Sequence, residues 1–325
     1  MPSATLLDLL KLNTGDAATG LIEDVPNWAP EFSIVPARPR AGTAYKVTRR
    51  TGYPAGGFRG ANSGVAVNPS IFKQELKEMF FYDNQMEVDE MLVKGDERTL
   101  GDLLAITAKG AVEQSAIDLG NTFWYGDGTN NNPLGLRFQI STFTPENSAT
   151  AVTGQVKAGG TTNSTSAYLV DLDENVGVGF DVGMDGQFTI PPWIRQRKDD
   201  ATTAANKYWA WMTNLSAYVG VSVKSALCVY VISGIDSTHP LTDILASSLL
   251  QKVPMRVRRH NLQWFINRDS EAYLTQSRTT INNNGTTAYS TQKIASGENV
   301  LPLPTAMVGY PVNVTDSILS TETNS

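Results

Sequence analysis

Between residues 38 and 73 the chain carries Arg38, Arg40, Lys46, Arg49, Arg50, Arg59 and Lys73 and no acidic residue. Between 74 and 98 it carries Glu75, Glu78, Asp83, Glu87, Asp89, Glu90, Asp96 and Glu97 against Lys77, Lys94 and Arg98. The basic block reads as a ribbon: Ala44–Thr51 and Ile71–Tyr82 are β-favouring runs joined by a Gly-rich tip at 52–68. A two-stranded ribbon is marginal in water on its own, so this stretch needs another surface to lie on. Adjacent blocks of opposite sign suit a head-to-tail contact between copies of one chain. They also suit plain solvation or pairing within one subunit.

The rest of the chain is ordered around one long helix. Residues 96–125 place Leu100, Leu103, Leu104, Ala108, Ala111, Val112, Ser115, Ala116 and Leu119 at helical spacing, with Asp96 or Thr99 as the cap. At 1.5 Å per residue the helix spans about 40 Å. The run NTFWYGDGTNNNPLGL then turns sharply. Upstream, 3–13 reads as a short amphipathic helix and Pro36 and Pro39 enforce extended chain. Downstream, 141–166 is a polar loop, 167–190 reads as alternating strands, 207–232 is β-rich, and 241–253 is a second helix followed by another β-rich block. Strands and helices are segregated rather than alternating, which defines an α+β fold.

Chemistry is sparse. The net charge is −6 and the pI about 5.1, which excludes a strongly basic nucleic-acid coat. A single cysteine, Cys228, excludes an intrachain disulfide framework, and in its apolar β run it reads as a small buried hydrophobe. No run of about 18 apolar residues is present, and the N-terminus lacks the basic region of a secretory signal. Asp127, Thr129 and Asn131 alternate as in a calcium loop, but the sixth and twelfth positions are Asn132 and Phe138 instead of Gly and Glu. Asp171 and Asp173, with Glu174, Asp181 and Asp185 nearby, form the one carboxylate cluster that suggests hydrolysis, if a strand puts 171 and 173 on one face. His239 and His260 have no nucleophile elbow to serve. Arg256, Arg258 and Arg259 near Trp264 read as an ordinary half-exposed strand rather than a nucleic-acid patch. No catalytic residue, metal site or cofactor is expected.

Several segments in order resemble the major capsid proteins of tailed bacteriophages, the Hong Kong 97-like coat fold. LLDLLKLN…GLIEDV…APEFSIVPAR looks like the N-terminal arm of one subgroup, and AGTAYKVTRRTGYPAGGFRGANSGV like its extended loop. The helix at 98–120 with FWYGDGTNNNPLGL resembles the spine helix and its turn, and PLPTAMVGYPVNVTDSI the closing strand.

The resemblance implies an N-terminal arm at 1–36 and an extended loop at 37–81. It implies a peripheral domain at 82–159 and 307–325 containing the spine helix, and an axial domain at 160–306. It implies pentamers and hexamers that self-assemble into an icosahedral head enclosing double-stranded DNA without sequence-specific binding, in the virion and with no membrane. The short arm implies a separate scaffolding protein; a portal and possibly a decoration protein would complete the partners. The loop of one subunit would lie over the next, with Arg49, Arg50 and Arg59 opposite Glu87, Asp89 and Glu90. Lys46 and Lys73 offer loop amines for covalent crosslinking, but no Asn partner is evident and none is predicted. The rival readings are an encapsulin-like compartment shell, a tail-tube or decoration subunit and, remotely, a hydrolase using Asp171 and Asp173.

Overall fold

Two sheets and one long helix account for the interior. The computed structural model describes residues 29–65, 68–91, 100–129, 131–142, 154–174, 177–183, 189–199, 207–225, 227–283, 292–293, 299–300 and 303–322. The expected helix at 3–13, the cap of the long helix and residues 143–153 of the expected polar loop lie outside these residues, while the rest of that loop includes the strand Gln155–Lys157 and the start of the strand Thr165–Asp171.

The chain enters through helix α1 (Glu31–Ile34) and strand β1 (Ala37–Pro39), then forms β2 (Ala44–Gly52) and β3 (Ile71–Glu78). Strand β4 (Phe80–Asp89) follows at once. The ribbon's second strand therefore stops at Glu78 instead of running to Tyr82. The cause is Met79: its side chain is buried and its N–H donates to the Thr43 carbonyl at 2.8 Å, closing the ribbon's base. Beyond it the strand leaves β2 and pairs with β9 (Lys207–Val223). A five-stranded sheet results, in the order β1-β7-β9-β4, where β7 is Val178–Val182 and β8 (Ile194–Asp199) adds to the other part of β9. The ribbon β2–β3 pairs only with itself.

Helix α2 (Leu100–Tyr125) lies against the five-stranded sheet. Tyr82 donates to Asp118 of the helix, and Asn84 Nδ2 to Ala111 O and Ser115 Oγ. Even-numbered β4 residues thus face α2, and odd-numbered ones face away. Leu103, Leu104, Leu119, Phe123 and Trp124 are buried, whereas Val112, expected on the core face, is exposed. After Tyr125 the backbone folds onto itself: a Cβ on Gly126 would lie 2.0 Å from the Pro133 carbonyl oxygen. Gly135 N donates to Gly126 O at 2.7 Å and helix α3 (Leu136–Thr142) begins.

The six-stranded sheet runs β14-β15-β11-β6-β10-β5. These are Ala306–Met307, Tyr310–Val314, Leu262–Ile266, Thr165–Asp171, Val229–Ile235 and Gln155–Lys157. A further two-residue pair, β12 (Gln292–Lys293) and β13 (Asn299–Val300), stands apart. Strand β6 is buried along its whole length instead of alternating. Tyr168 and Val170 join the core shared with Phe123, Trp124 and Phe180, while Ala167 and Leu169 join the core under helices α4 (Asp243–Lys252) and α5 (Arg268–Asn283). A strand covered on both faces loses the period-two signal.

Two further expectations change. Residues 257–259 form a short 3-10 turn rather than a strand, because Pro254 lacks an N–H and its carbonyl instead accepts from Val257 N and Arg258 N. Part of the expected β block after 253 is helix α5. Asn267 Oδ1 caps it by accepting from Ser270 N at 2.8 Å, and Asp269 and Glu271 occupy its first turn.

The sheets draw on segments from both sides of the expected domain limits. Strands β7, β8 and β9, within 160–306, belong to the sheet of β4, and β15, within 307–325, pairs with β11.

Candidate functional site

The ribbon is tied to the body by polar groups at its base. Tyr45 donates to Asp181 Oδ2, and Arg40 Nε lies 3.3 Å from Asp181 Oδ1 while its guanidinium covers the Tyr45 ring. Asp181 is buried on β7. Burial and the neighbouring carboxylate push the Tyr45 phenol up to about 12, so it remains a donor at any physiological pH. Arg38 is buried beside this clasp and donates to the carbonyls of Asp173, Glu174, Gly177 and Val178. Two of the seven cations of the basic block therefore anchor the ribbon's base.

The expected contact residues separate into engaged and available groups. Arg49 pairs with Glu75 across the ribbon. Arg50 stacks over Tyr53 and Phe72, and Arg59 donates to the Ser63 carbonyl in the exposed tip. Glu87 accepts from Lys198 and Tyr208. Glu90 receives two bonds from Arg195, at 2.9 and 2.7 Å. Among the described residues Asp89 accepts from the Met91 N–H, at 2.8 Å. The chain thus supplies its own partners to Arg49, Glu87 and Glu90.

The carboxylate pair expected on one strand face does not form. Strand β6 ends at Asp171. Asp171 Oδ1 accepts from the Asp173 backbone N–H at 3.0 Å, and Oδ2 lies 2.8 Å from His260 Nδ1. Asp181 is held in the ribbon clasp. Among the described residues no group of three or more His, Cys, Asp or Glu is placed to hold a metal ion. Asp127 accepts from Thr129 N and Oγ1 in a tight turn. Arg258 donates to the Val253 and Leu250 carbonyls at the end of α4, so it serves as a helix cap. Cys228 is buried, which pushes its thiol up to about 12.

Two buried carboxylates lay outside sequence reasoning. Glu31 accepts from Trp124 Nε1 at 2.7 Å and from Thr315 Oγ1, joining the incoming chain, the end of α2 and the C-terminal segment. Burial raises its pKa. Glu322 accepts from Tyr125 and Ser166 and lies 3.3 Å from Arg137 Nη1. Both are polar positions far apart in sequence, and no local pattern marks them.

The described residues thus form an α+β body with a basic two-stranded ribbon that pairs only with itself. A chain of the near-atomic cryo-EM structure of bacteriophage Epsilon15 matches with a TM-score of 0.69 at 15% identity, over 99% of this chain and 97% of that one. A chain of the bacteriophage JBD30 capsid decorated with minor capsid protein trimers matches with a TM-score of 0.50 at 12% identity, over 96% and 97%. No curated protein sequence matches the chain. The family described as Major capsid protein GP7 matches residues 37–325, and the chain belongs to that family. It is a building block of a bacteriophage capsid and works in the virion as a structural protein, not an enzyme.

Proposed function

We propose that the protein assembles as pentamers and hexamers into an icosahedral head around double-stranded DNA. The observation that carries this reading is the ribbon: a long basic hairpin whose strands pair only with each other, held at its base by Tyr45 and Arg40 and touched near its far end by Arg256, beside an acidic segment on the next strand. A surface of that kind gains most when each copy covers the next, and head-to-tail contacts of this type close into rings. Family membership supports the same reading.

In this arrangement the five-stranded sheet with α2 forms the peripheral part, and the six-stranded sheet with α4 and α5 the axial part around the ring centres. The cation block of one ribbon lies over the acidic side of its neighbour, in the region of Glu87, Asp89 and Glu90. A separate scaffolding protein directs closure and a portal occupies one vertex. A decoration protein is a further partner, as the decorated JBD30 capsid illustrates for its own chain. The net negative charge limits adhesion of the shell to packed DNA.

Negative-stain electron microscopy of the chain expressed with and without its scaffold tests the proposal. Closed shells tens of nanometres across are expected. A monodisperse monomer in both conditions would overturn it, and open tubes would move the protein to the tail.

A further inference from the structure

Arg38 is a buried cation whose hydrogen bonds, among the described residues, run to neutral acceptors. Its Nε donates to the Glu174 carbonyl at 2.7 Å and its Nη1 to Ser222 Oγ at 3.3 Å. Its Nη2 donates to the carbonyls of Asp173 at 2.9 Å and of Gly177 and Val178 at 3.2 Å each. Burying a guanidinium is costly unless its donors are satisfied. The planar fork of Arg spans several acceptors at once, which the single ammonium of Lys cannot do.

The position of these acceptors gives the cation its role. Strand β6 belongs to the six-stranded sheet and β7 to the five-stranded one, so the chain between Asp171 and Val178 crosses from one sheet to the other. On the β6 side Leu172 N donates to the Asn261 carbonyl at 2.9 Å and Asp173 N to Asp171 Oδ1 at 3.0 Å. Gly177 N donates back to the Asp173 carbonyl at 2.9 Å. Arg38 reaches the crossover from outside it, from β1. That strand is an edge strand of three residues, paired with β7 alone. A Cβ on Gly179 would lie 2.5 Å from Arg38 Nη1, so glycine there leaves the guanidinium its path.

We infer that β1 is a removable lock on the crossover between the two sheets: while it sits on β7, Arg38 holds the crossover closed, and drawing residues 37–40 off β7 opens it. The buried cation cannot stay behind when its strand leaves, and its departure takes a charged donor from four carbonyls at once. Strand and crossover therefore open as one unit, although they are far apart in sequence. A contact that pulls on the chain entering β1 is thereby transmitted to the joint between the sheets, without touching either sheet. The inference goes beyond the capsid reading and concerns the lone subunit, so it stands or falls whether or not shells form.

Native-state hydrogen exchange on the soluble wild-type subunit tests it. The Arg40 amide, which donates to the Val182 carbonyl at 2.8 Å, reports on β1, and the Gly177 amide reports on the crossover. After correction for intrinsic rates, both are expected to show one opening free energy with one denaturant dependence, below that of the β6 amides. Separate openings, or exchange of both only together with β6, would overturn the lock. Arg38→Lys should speed Gly177 exchange by about tenfold or more, the loss of one hydrogen bond to a charged group. Tyr45→Phe, which loosens the ribbon clasp and keeps Arg38, should leave Gly177 unchanged. Wild-type Gly177 exchange in Arg38→Lys, or equal acceleration in Tyr45→Phe, would overturn the assignment to Arg38. Should Arg38→Lys fail to fold, the wild-type measurement decides alone.

Discussion

Strand β6 is buried along its length, has β10 and β11 on its two edges, and contributes side chains to two cores. Strands β2 and β3 pair only with each other, and most of their side chains remain partly or fully exposed. The first region is determined by apolar burial. The second is fixed at its base by a few buried polar contacts and meets the body again near its far end through Arg256 and Tyr53. Burial is non-directional and cooperative, whereas the polar clasp fixes a position without filling a volume.

The largest effect expected from breaking this division lies in the body. Trp124 is fully buried against Tyr168 and Phe265 and donates to Glu31. Trp124→Ala should cost about 3–5 kcal/mol through cavity formation, and more where Glu31 loses its donor. Thermal unfolding of the soluble subunit measures this; a loss under about 1 kcal/mol would mean that the two sheets do not share this core.

A smaller and more local effect is expected at the clasp. Tyr45→Phe removes one donor from the buried Asp181 carboxylate and leaves Arg40 in place. A hydrogen bond to a charged group contributes about 1.5–3 kcal/mol. Because the ribbon has no core, the loss should appear as faster hydrogen exchange over 44–52 and 71–78, with the six-stranded sheet unchanged. Equal acceleration in both regions would show that ribbon and body are one cooperative unit.

Glu31 sharpens the comparison from the other side, as a titratable group inside the body. Burial raises its pKa above the ordinary 4.5, outweighing its neutral donors. The folded chain then binds the proton more tightly than the unfolded one. The stability this group contributes is complete below pH about 4.5 and declines as pH rises through the raised value. Glu31→Gln should lack that decline. Melting curves of the two proteins from pH 4 to 8 should therefore show wild type falling relative to the variant; a constant difference would mean that Glu31 keeps its ordinary pKa.

The same contrast explains what could be read from the chain. The charge blocks, the strand read at 44–51 and found at Ala44–Gly52, and the helix through Tyr125 are local patterns, and all were legible. The end of the ribbon at Glu78 was not, because Phe80–Tyr82 favours a strand equally well whether its partner is β2 or β9. Strand β6 hid its period because both faces are covered. Helix α5 hid in a polar run rich in Thr and Asn, whose helicity depends on the Asn267 cap and on Arg278, which donates to both Asp243 oxygens. For the contact surface, charge sign was legible but pairing was not. Only the fold shows Glu87 and Glu90 reaching across to β8, and so which charges remain for a neighbour.

The smallest effect is expected where the charge blocks first suggested the largest. Arg49 and Glu75 are both partly solvated and face each other across the ribbon. The two side chains keep only 18% and 24% of their exposure, but the charge gained in pairing is offset by the desolvation of both groups and by the freedom two long side chains lose, so a coupling of about 0–1 kcal/mol is expected. A double-mutant cycle with Arg49→Gln and Glu75→Gln should therefore give a coupling under about 1 kcal/mol in subunit stability, shrinking as salt rises. Assembly of both variants should proceed, since the pair is satisfied within one ribbon. Loss of shells on Arg49→Gln with unchanged subunit melting would mean that Arg49 exchanges Glu75 for a neighbour's carboxylate during assembly, and the division between internal and external charges would have to be redrawn.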